Sequence, residues 1–370
     1  MDVRGIVAEL FAPSSSRVGI EAEFFTGLPD GSRPSFDLLT PLVTEVMPAG
    51  GTITLEPGSQ IEVSTAPHGT AAAAATALRA DVAALIARLD GLGIAARGAA
   101  IDTDRPPERT TGEERYRHLE QELDRFSPAG RWMMTNTCAL QINVGGGQLT
   151  GQTWRVLNRV GPLLTAAFAN SPGVDAQGRW WQSLRQGCWL SMDPRRAAPP
   201  LARTGDRVDD YLAYALAAPR LFPEPDGLVF GEWLHGAAEP RPARADFVRH
   251  LSTLFPPVRP RGWFEIRSID MVPVDVIEVV ALTVATLVEP DVVAEVDRVV
   301  QTVPTAETAA MHGLRAPDCQ RAAAALFAIL AQHDSSGQIG SFADDYVHQG
   351  RCPGATRPDE AQMLMPPLSA

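Results

Sequence analysis

The chain has 370 residues, 45% of them hydrophobic and 21% charged, with a formal net charge of −12. That composition suits a globular protein with a sizeable core, and it excludes both a disordered chain and one built on an apolar run of about 18 or more residues. All 32 basic residues are arginine, which rules out Schiff-base chemistry and lysine-dependent phosphate loops, and an acidic chain with no basic stripe argues against nucleic-acid binding.

The opening MDVRGIVAELFAP lacks the basic, apolar and cleavage regions of a secretory signal, so a cytoplasmic location is expected. Residues 18–25 contain "GIEAEFF", which as a strand sets Glu21 and Glu23 on one face and Ile20, Ala22 and Phe24 on the other. Residues 52–64 read as two alternating runs around a Pro57-Gly58 turn, with Ile61 and Val63 opposing Gln60 and Glu62, and Glu56 just before the turn. Residues 71–90 read as a helix with Leu78, Val82, Leu85, Ile86 and Leu89 at helical spacing, Thr70 to cap it and Gly91 to end it. Further helices are predicted over about 113–125, 153–169, 274–288 and 316–331.

The strand at 138–147 alternates Leu140, Ile142 and Val144 against Gln141 and Asn143, and its Gly145–Gly147 run reads as a hairpin exit, with no Gly-Lys-Ser/Thr to make a phosphate loop. The strand at 262–270 alternates Phe264 and Ile266 against Glu265 and Arg267. Proline-rich stretches at 194–200, 219–225 and 240–242 read as surface loops, and the tail from about 352 as mobile. Strands scattered among longer helices give the α+β class, a mainly antiparallel sheet backed by helices, in one domain covering 1–370.

Four segments thus repeat one device, an apolar face behind a face of carboxylates, amides and an arginine. In one sheet they would bring Glu21, Glu23, Glu56, Glu62 and Glu265 into a common cleft. Unscreened carboxylates about 4 Å apart repel by about 4 kcal/mol at a protein-surface dielectric, so the cleft calls for cations. Hard oxygen donors suit Mg²⁺ or Mn²⁺, and acids with such metals point to phosphoryl transfer.

Arg185, in "WWQSLRQGCW", and Arg267 are the candidates for gripping an anionic substrate, since a guanidinium fork binds carboxylates bidentately. Trp180, Trp181 and Trp189 surround Arg185 in the sequence as a core or as a pocket wall. Cys138, Cys188, Cys319 and Cys352 are widely spaced and read as free thiols, and the seven histidines lack zinc-site spacing.

The segments "GIEAEFF", "LEPGSQIEVSTAP", "RYRHLEQ", "MMTNTCALQINV", "AAFANSP", "WWQSLRQGCWLSMDP", "DDYLAYAL" and "HLSTLFPPVRPRGWFEIRSIDMVP" follow one another from about residue 17 to 355. Together they resemble the glutamate-cysteine ligases of the plant-like class, most closely the bacterial branch that makes γ-glutamylcysteine for ergothioneine biosynthesis. The resemblance implies a glutamine-synthetase-like fold and an ATP-dependent ligation of the L-glutamate γ-carboxyl to the L-cysteine amine through γ-glutamyl phosphate.

By the same resemblance Glu21, Glu23, Glu56, Glu62 and Glu265 are metal-binding acids, and Gln141 and Asn143 lie near metal and nucleotide. Arg185 and Arg267 hold the glutamate or the transferred phosphate, with Trp189 and Asn170 beside the substrate pocket. This chain departs from the pattern at "QINVGGG", where many relatives have an aspartate, and at Asn136, where some have arginine. Cysteine preference is therefore less firmly implied than glutamate activation. A same-fold ligase with another amine acceptor, or a non-catalytic glutamate or nucleotide sensor, are the competing readings.

Overall fold

The alternating run that begins at Val18 forms the longest strand in the computed structural model, which describes residues 1–146, 149–200 and 204–354. The strands are β1 (Val18–Gly27), β2 (Thr52–Leu55), β3 (Ile61–Ser64), β4 (Ala95–Arg97), β5 (Leu140–Val144), β6 (Gly173–Val174), β7 (Trp180–Trp181), β8 (Val258–Pro260) and β9 (Phe264–Ile266). One sheet runs β2-β3-β1-β5-β9-β8, with β4 paired to the end of β1, while β6 and β7 make a separate hairpin. Every strand pairing is antiparallel, as the α+β reading predicts.

Register decides which side chains meet. Thr54, Glu62 and Glu23 fall in one transverse row, Ser64, Glu21 and Gln141 in the next, and Asn143, Glu265 and Arg259 in a third. The opposite face carries Ile53, Val63, Ala22 and Leu140, and Ile20, Ile142, Ile266 and Val258. These residues are buried in a core that includes the helices Ala71–Gly91 and Ile277–Leu287. Burying each of these valines, leucines and isoleucines stabilises the fold by roughly 1.5–3 kcal/mol, whereas a one-residue slip would turn the acids inward. The acids are thus held on the open face by the burial of their neighbours.

The predicted helices are found at Ala71–Gly91, Glu114–Asp124, Gly151–Ala167, Ile277–Leu287 and Pro317–His333. Thr70 caps the first, accepting from the Ala73 N–H at 3.2 Å. Ile86 is 41% exposed and lies off the core stripe. The left-handed residue after this helix is Gly93, not Gly91, because the chain adds a turn residue, Leu92, before it reverses.

The turn after Glu56 also divides its work differently from expectation. Ser59 takes the positive φ of 63° and is held by its hydroxyl, which donates to the Pro34 carbonyl at 2.7 Å. Gly58 is needed for space: a Cβ there would stand 2.3 Å from the Thr135 carbonyl oxygen.

The proline-rich stretches are not all surface loops. Pro194 starts a short helix, Pro194–Ala197, that buries Arg196, and Leu221 and Phe222 are buried in the next stretch. In the tail, Cys352 is buried and the Gly354 N–H donates to the Ala169 carbonyl at 3.0 Å, so 352–354 are docked. Residues beyond 354, and Gly147 of the glycine run, lie outside the described residues. Among the described residues no helix is long and apolar enough to cross a membrane.

Candidate active site

The polar face of the sheet floors a cavity of about 750 Å³ lined by Glu21, Glu23, Glu56, Glu62, Gln141, Arg185, Trp189 and Arg267. Its walls include the segment around Phe36 and Thr44, the start of the helix Glu114–Asp124 with Arg115 and Tyr116, and β8–β9 with Arg259, Arg261 and Trp263. Four of the five predicted acids and both predicted arginines therefore share one cavity.

Within it the amides knit the acids together. Glu23 accepts from the Ala139 N–H at 2.7 Å and from Gln141 Nε2 at 3.2 Å. Gln141 Nε2 also reaches Glu62 Oε2 at 3.3 Å, and its carbonyl oxygen accepts from Arg267 Nη1 at 2.6 Å. Glu62 takes a further bond from Thr54 Oγ1 at 2.8 Å. Gln141 is thus the joint between acids and arginine.

Burial above all, with Glu62 and Glu265 nearby, pushes the Glu21 carboxyl up to about 7. Burial, then the neighbouring Glu23 charge, does the same for Glu62, also to about 7. Glu23 is raised by burial against the pull of Arg185, and Glu56 is raised well above the carboxylate range by burial and by Glu62 and Glu23. This wall holds more negative capacity than the chain's own cations balance.

Glu265 is placed differently from expectation. It is fully buried, is not in the cavity wall, and pairs with Arg259 at 2.7 Å, with Arg261 at 3.5 Å and with Arg267. Burial alone would raise its carboxyl, but the three guanidinium charges outweigh that and hold it at about 2. Its neighbours commit it to arginines because Arg259 lies directly opposite it across β8–β9.

Among the described residues no three histidine, cysteine or acidic side chains converge into a ready metal cage; the cavity acids are instead spread along its floor. Asn143, expected near the nucleotide, is absent from the cavity lining. It donates to Glu21 at 2.7 Å and accepts from Trp263 Nε1 at 2.9 Å.

Asn170 also lies off the cavity: its Nδ2 donates to the Met271 carbonyl at 2.7 Å and its N–H to Asp270 at 2.8 Å. Of the three tryptophans around Arg185 in the sequence, Trp189 is the one that lines the cavity, with the Arg185 and Arg267 guanidinium carbons 5.0 and 6.0 Å from its ring centroid. Trp181 is buried elsewhere, donating to Asp175 at 2.8 Å.

Asn136 is buried below the loop at Asp102–Arg105, donating to those two carbonyls at 2.9 and 2.7 Å. All four cysteines are free and buried, and burial pushes the Cys188 thiol up to about 12, so none presents a thiolate. The sequence reading missed Arg259 and Arg261, although their positions, six and four residues before Glu265, share the parity of the acid they bind.

Arg185 and Arg267 complete the site. Arg185 Nη2 donates to the Arg267 carbonyl at 2.9 Å, and among the described residues nothing accepts a hydrogen bond from Arg185 Nε and Nη1 or from Arg267 Nε. Buried guanidinium N–H groups without acceptors are what an anionic ligand would satisfy.

Comparison with known proteins identifies the family. The family model for glutamate-cysteine ligase family 2 (GCS2) matches residues 17–335. The chain is 36% identical over 363 residues to the glutamate–cysteine ligase EgtA of Mycobacterium tuberculosis, spanning 91% of this chain and 84% of that protein. It is 27% identical to the chloroplastic glutamate–cysteine ligase of Nicotiana tabacum over 59% of this chain and 45% of that protein. The crystal structure of a glutamate–cysteine ligase from Francisella tularensis in complex with AMP shares the fold, with a TM-score of 0.57 at 14% identity over 93% of this chain and 84% of that one. The motif resemblance therefore holds, and because the family model matches most of the chain, residues 17–335, this chain belongs to glutamate-cysteine ligase family 2.

Proposed function

We propose that this chain joins the γ-carboxyl of L-glutamate to the amine of L-cysteine, converting ATP to ADP and phosphate, to make γ-glutamylcysteine for ergothioneine biosynthesis in the cytoplasm. The observation that carries the reading is a single cavity in which four half-buried acids face Arg185 and Arg267, whose guanidinium groups keep buried N–H groups unused. The ligases named among its relatives supply the substrate class.

The donor set fits a hard divalent cation, since oxygen ligands line the floor and their carboxyl groups are raised by burial and by one another's charge. Glu21, Glu23, Glu56 and Glu62 would hold Mg²⁺ or Mn²⁺, which when bound neutralises the nucleotide phosphates and the phosphoryl group in transit. Glu265, tied to three arginines, holds the Arg267 fork in place and would join those acids only by exchanging a guanidinium for a cation.

Arg267 and Arg185 orient the glutamate, against the Trp189 ring. A γ-carboxylate oxygen attacks the γ-phosphorus of ATP and ADP leaves. The cysteine nitrogen then attacks the acyl carbon of γ-glutamyl phosphate, inorganic phosphate leaves, and one amine proton is released. The intermediate is needed because a carboxylate oxygen is too poor a leaving group for direct attack by an amine.

ADP release with ATP, Mg²⁺ and glutamate, measured across a panel of amines, tests the whole reading. Cysteine should give the fastest release; a rate with alanine or another amine that equals it would remove the cysteine assignment, and no glutamate-dependent release at all would remove the ligase.

The raised acids predict a pH signature as well. With Glu21 and Glu62 moved from about 4.5 to about 7, the folded chain binds more protons than the unfolded chain between those values, so stability falls as pH rises through that window. Glu265, held at about 2, acts in the opposite sense, but its contribution is already complete above pH 5. The melting temperature without divalent metal should therefore drop between pH 5.5 and 8, and Mg²⁺ at pH 8 should restore it. Indifference to Mg²⁺ at pH 8 would count against the metal assignment.

A further inference from the structure

We infer that Asp270 is a positioning residue for glutamate binding, holding Arg185 by both its backbone and its guanidinium; this rests on the ligase reading above. Asp270 lies outside the cavity lining and is 1% exposed, yet its carboxylate is fully engaged. It accepts from the Asn170 N–H at 2.8 Å, from Ser171 Oγ at 2.7 Å and from Ser183 Oγ at 2.9 Å, and it stands 3.6 Å from Arg185 Nη1. A buried carboxylate needs such donors and a counter-charge to remain ionised.

The two serines carry the effect to the backbone of the helix Leu184–Leu190. Ser183 is its N-cap, accepting from the Gln186 N–H at 3.2 Å, and Ser171 Oγ accepts from the Arg185 N–H at 3.1 Å. Asp270 thereby fixes where the helix starts, where the Arg185 backbone sits and which way its fork faces. The same network reaches the docked tail. A Cβ on Gly354 would come within 2.6 Å of the Asn170 Cα, so the close packing of Gly354 sets the position of the N–H that Asp270 accepts from.

Asp270→Asn tests this, because the amide keeps the volume but turns one acceptor into a donor facing donors and removes the partner charge of Arg185. With wild-type kinetics measured first, the variant should raise the KM for glutamate about ten- to a hundredfold, the scale of hydrogen bonds to charged groups. The KM values for ATP and for the amine should stay within about twofold of wild type. Gly354→Ala, which shifts the Asn170 backbone, and Ser171→Ala, which removes the hydroxyl between Asp270 and the Arg185 N–H, should each raise the glutamate KM in the same selective way and keep the test decisive if Asp270→Asn fails to fold.

An unchanged glutamate KM in folded Asp270→Asn, or in both other variants, overturns the inference. So does an equal rise in all three KM values, which would mean a structural role only. A wild-type protein with no glutamate-dependent turnover would instead overturn the ligase reading and this inference with it.

Discussion

Arg267→Lys is expected to lower kcat/KM for glutamate by about a hundredfold or more, the scale of losing charge-assisted hydrogen bonds at a developing negative charge. Arg267 serves several partners at once. One guanidinium nitrogen donates to Gln141 and pairs with Glu265, its Nε is buried without an acceptor among the described residues, and its backbone carbonyl receives Arg185. A lysine ammonium is a compact point charge and cannot reproduce the planar fork that holds Gln141 and Glu265 while leaving N–H groups for a ligand. The change should leave the melting temperature nearly intact if a cation still partners Glu265. Steady-state kinetics beside a thermal melt would check this, and near-wild-type turnover would remove Arg267 from the site.

Glu23→Gln should reduce kcat by about a hundred- to a thousandfold, the cost typical of deleting one electrostatic group in a preorganised site. Glu23 sits in the middle of the floor, opposite Glu62 in the sheet register, and accepts from Ala139 and Gln141. The amide removes one negative charge and sets a donor against donors, so the Mg²⁺ concentration needed for half-maximal rate should rise as well. Turnover and Mg²⁺ dependence both unchanged would refute a metal-binding role. Because burial makes this acid costly to ionise, a stability no lower than wild type above pH 7 is expected for the variant, which separates lost chemistry from lost fold.

Much of the site was legible because strand parity is local. Glu21 and Glu23 must share a face, as must Gln141 and Asn143, or Glu265 and Arg267, whatever the rest of the chain does. Helix periods such as that at Ala71–Gly91 are equally local. Less legible were elements whose stability comes from their surroundings. β8 is three residues long and contains Pro260, and it pairs because β9 lies beside it. The helix Leu184–Leu190 includes a glycine and depends on the Ser183 cap that Asp270 anchors. Asn170, expected beside the substrate pocket, lies off the cavity, and its direction, toward Met271 and Asp270, depends on contacts a hundred residues away in the chain.

From the sequence alone came the identity of the cleft: which acids and amides share a face, that arginine must supply every positive side chain where lysine is absent, and the family whose motifs these are. Only the tertiary structure decided what each acid does. Glu21 and Glu265 follow the same alternation, yet one is raised to about 7 and the other held at about 2. The difference is distance to positive charge: Arg259, Arg261 and Arg267 converge on Glu265, while Glu21 faces other acids across the floor. Coulomb energy depends on separation through a low-dielectric interior, and no one-dimensional pattern contains that separation.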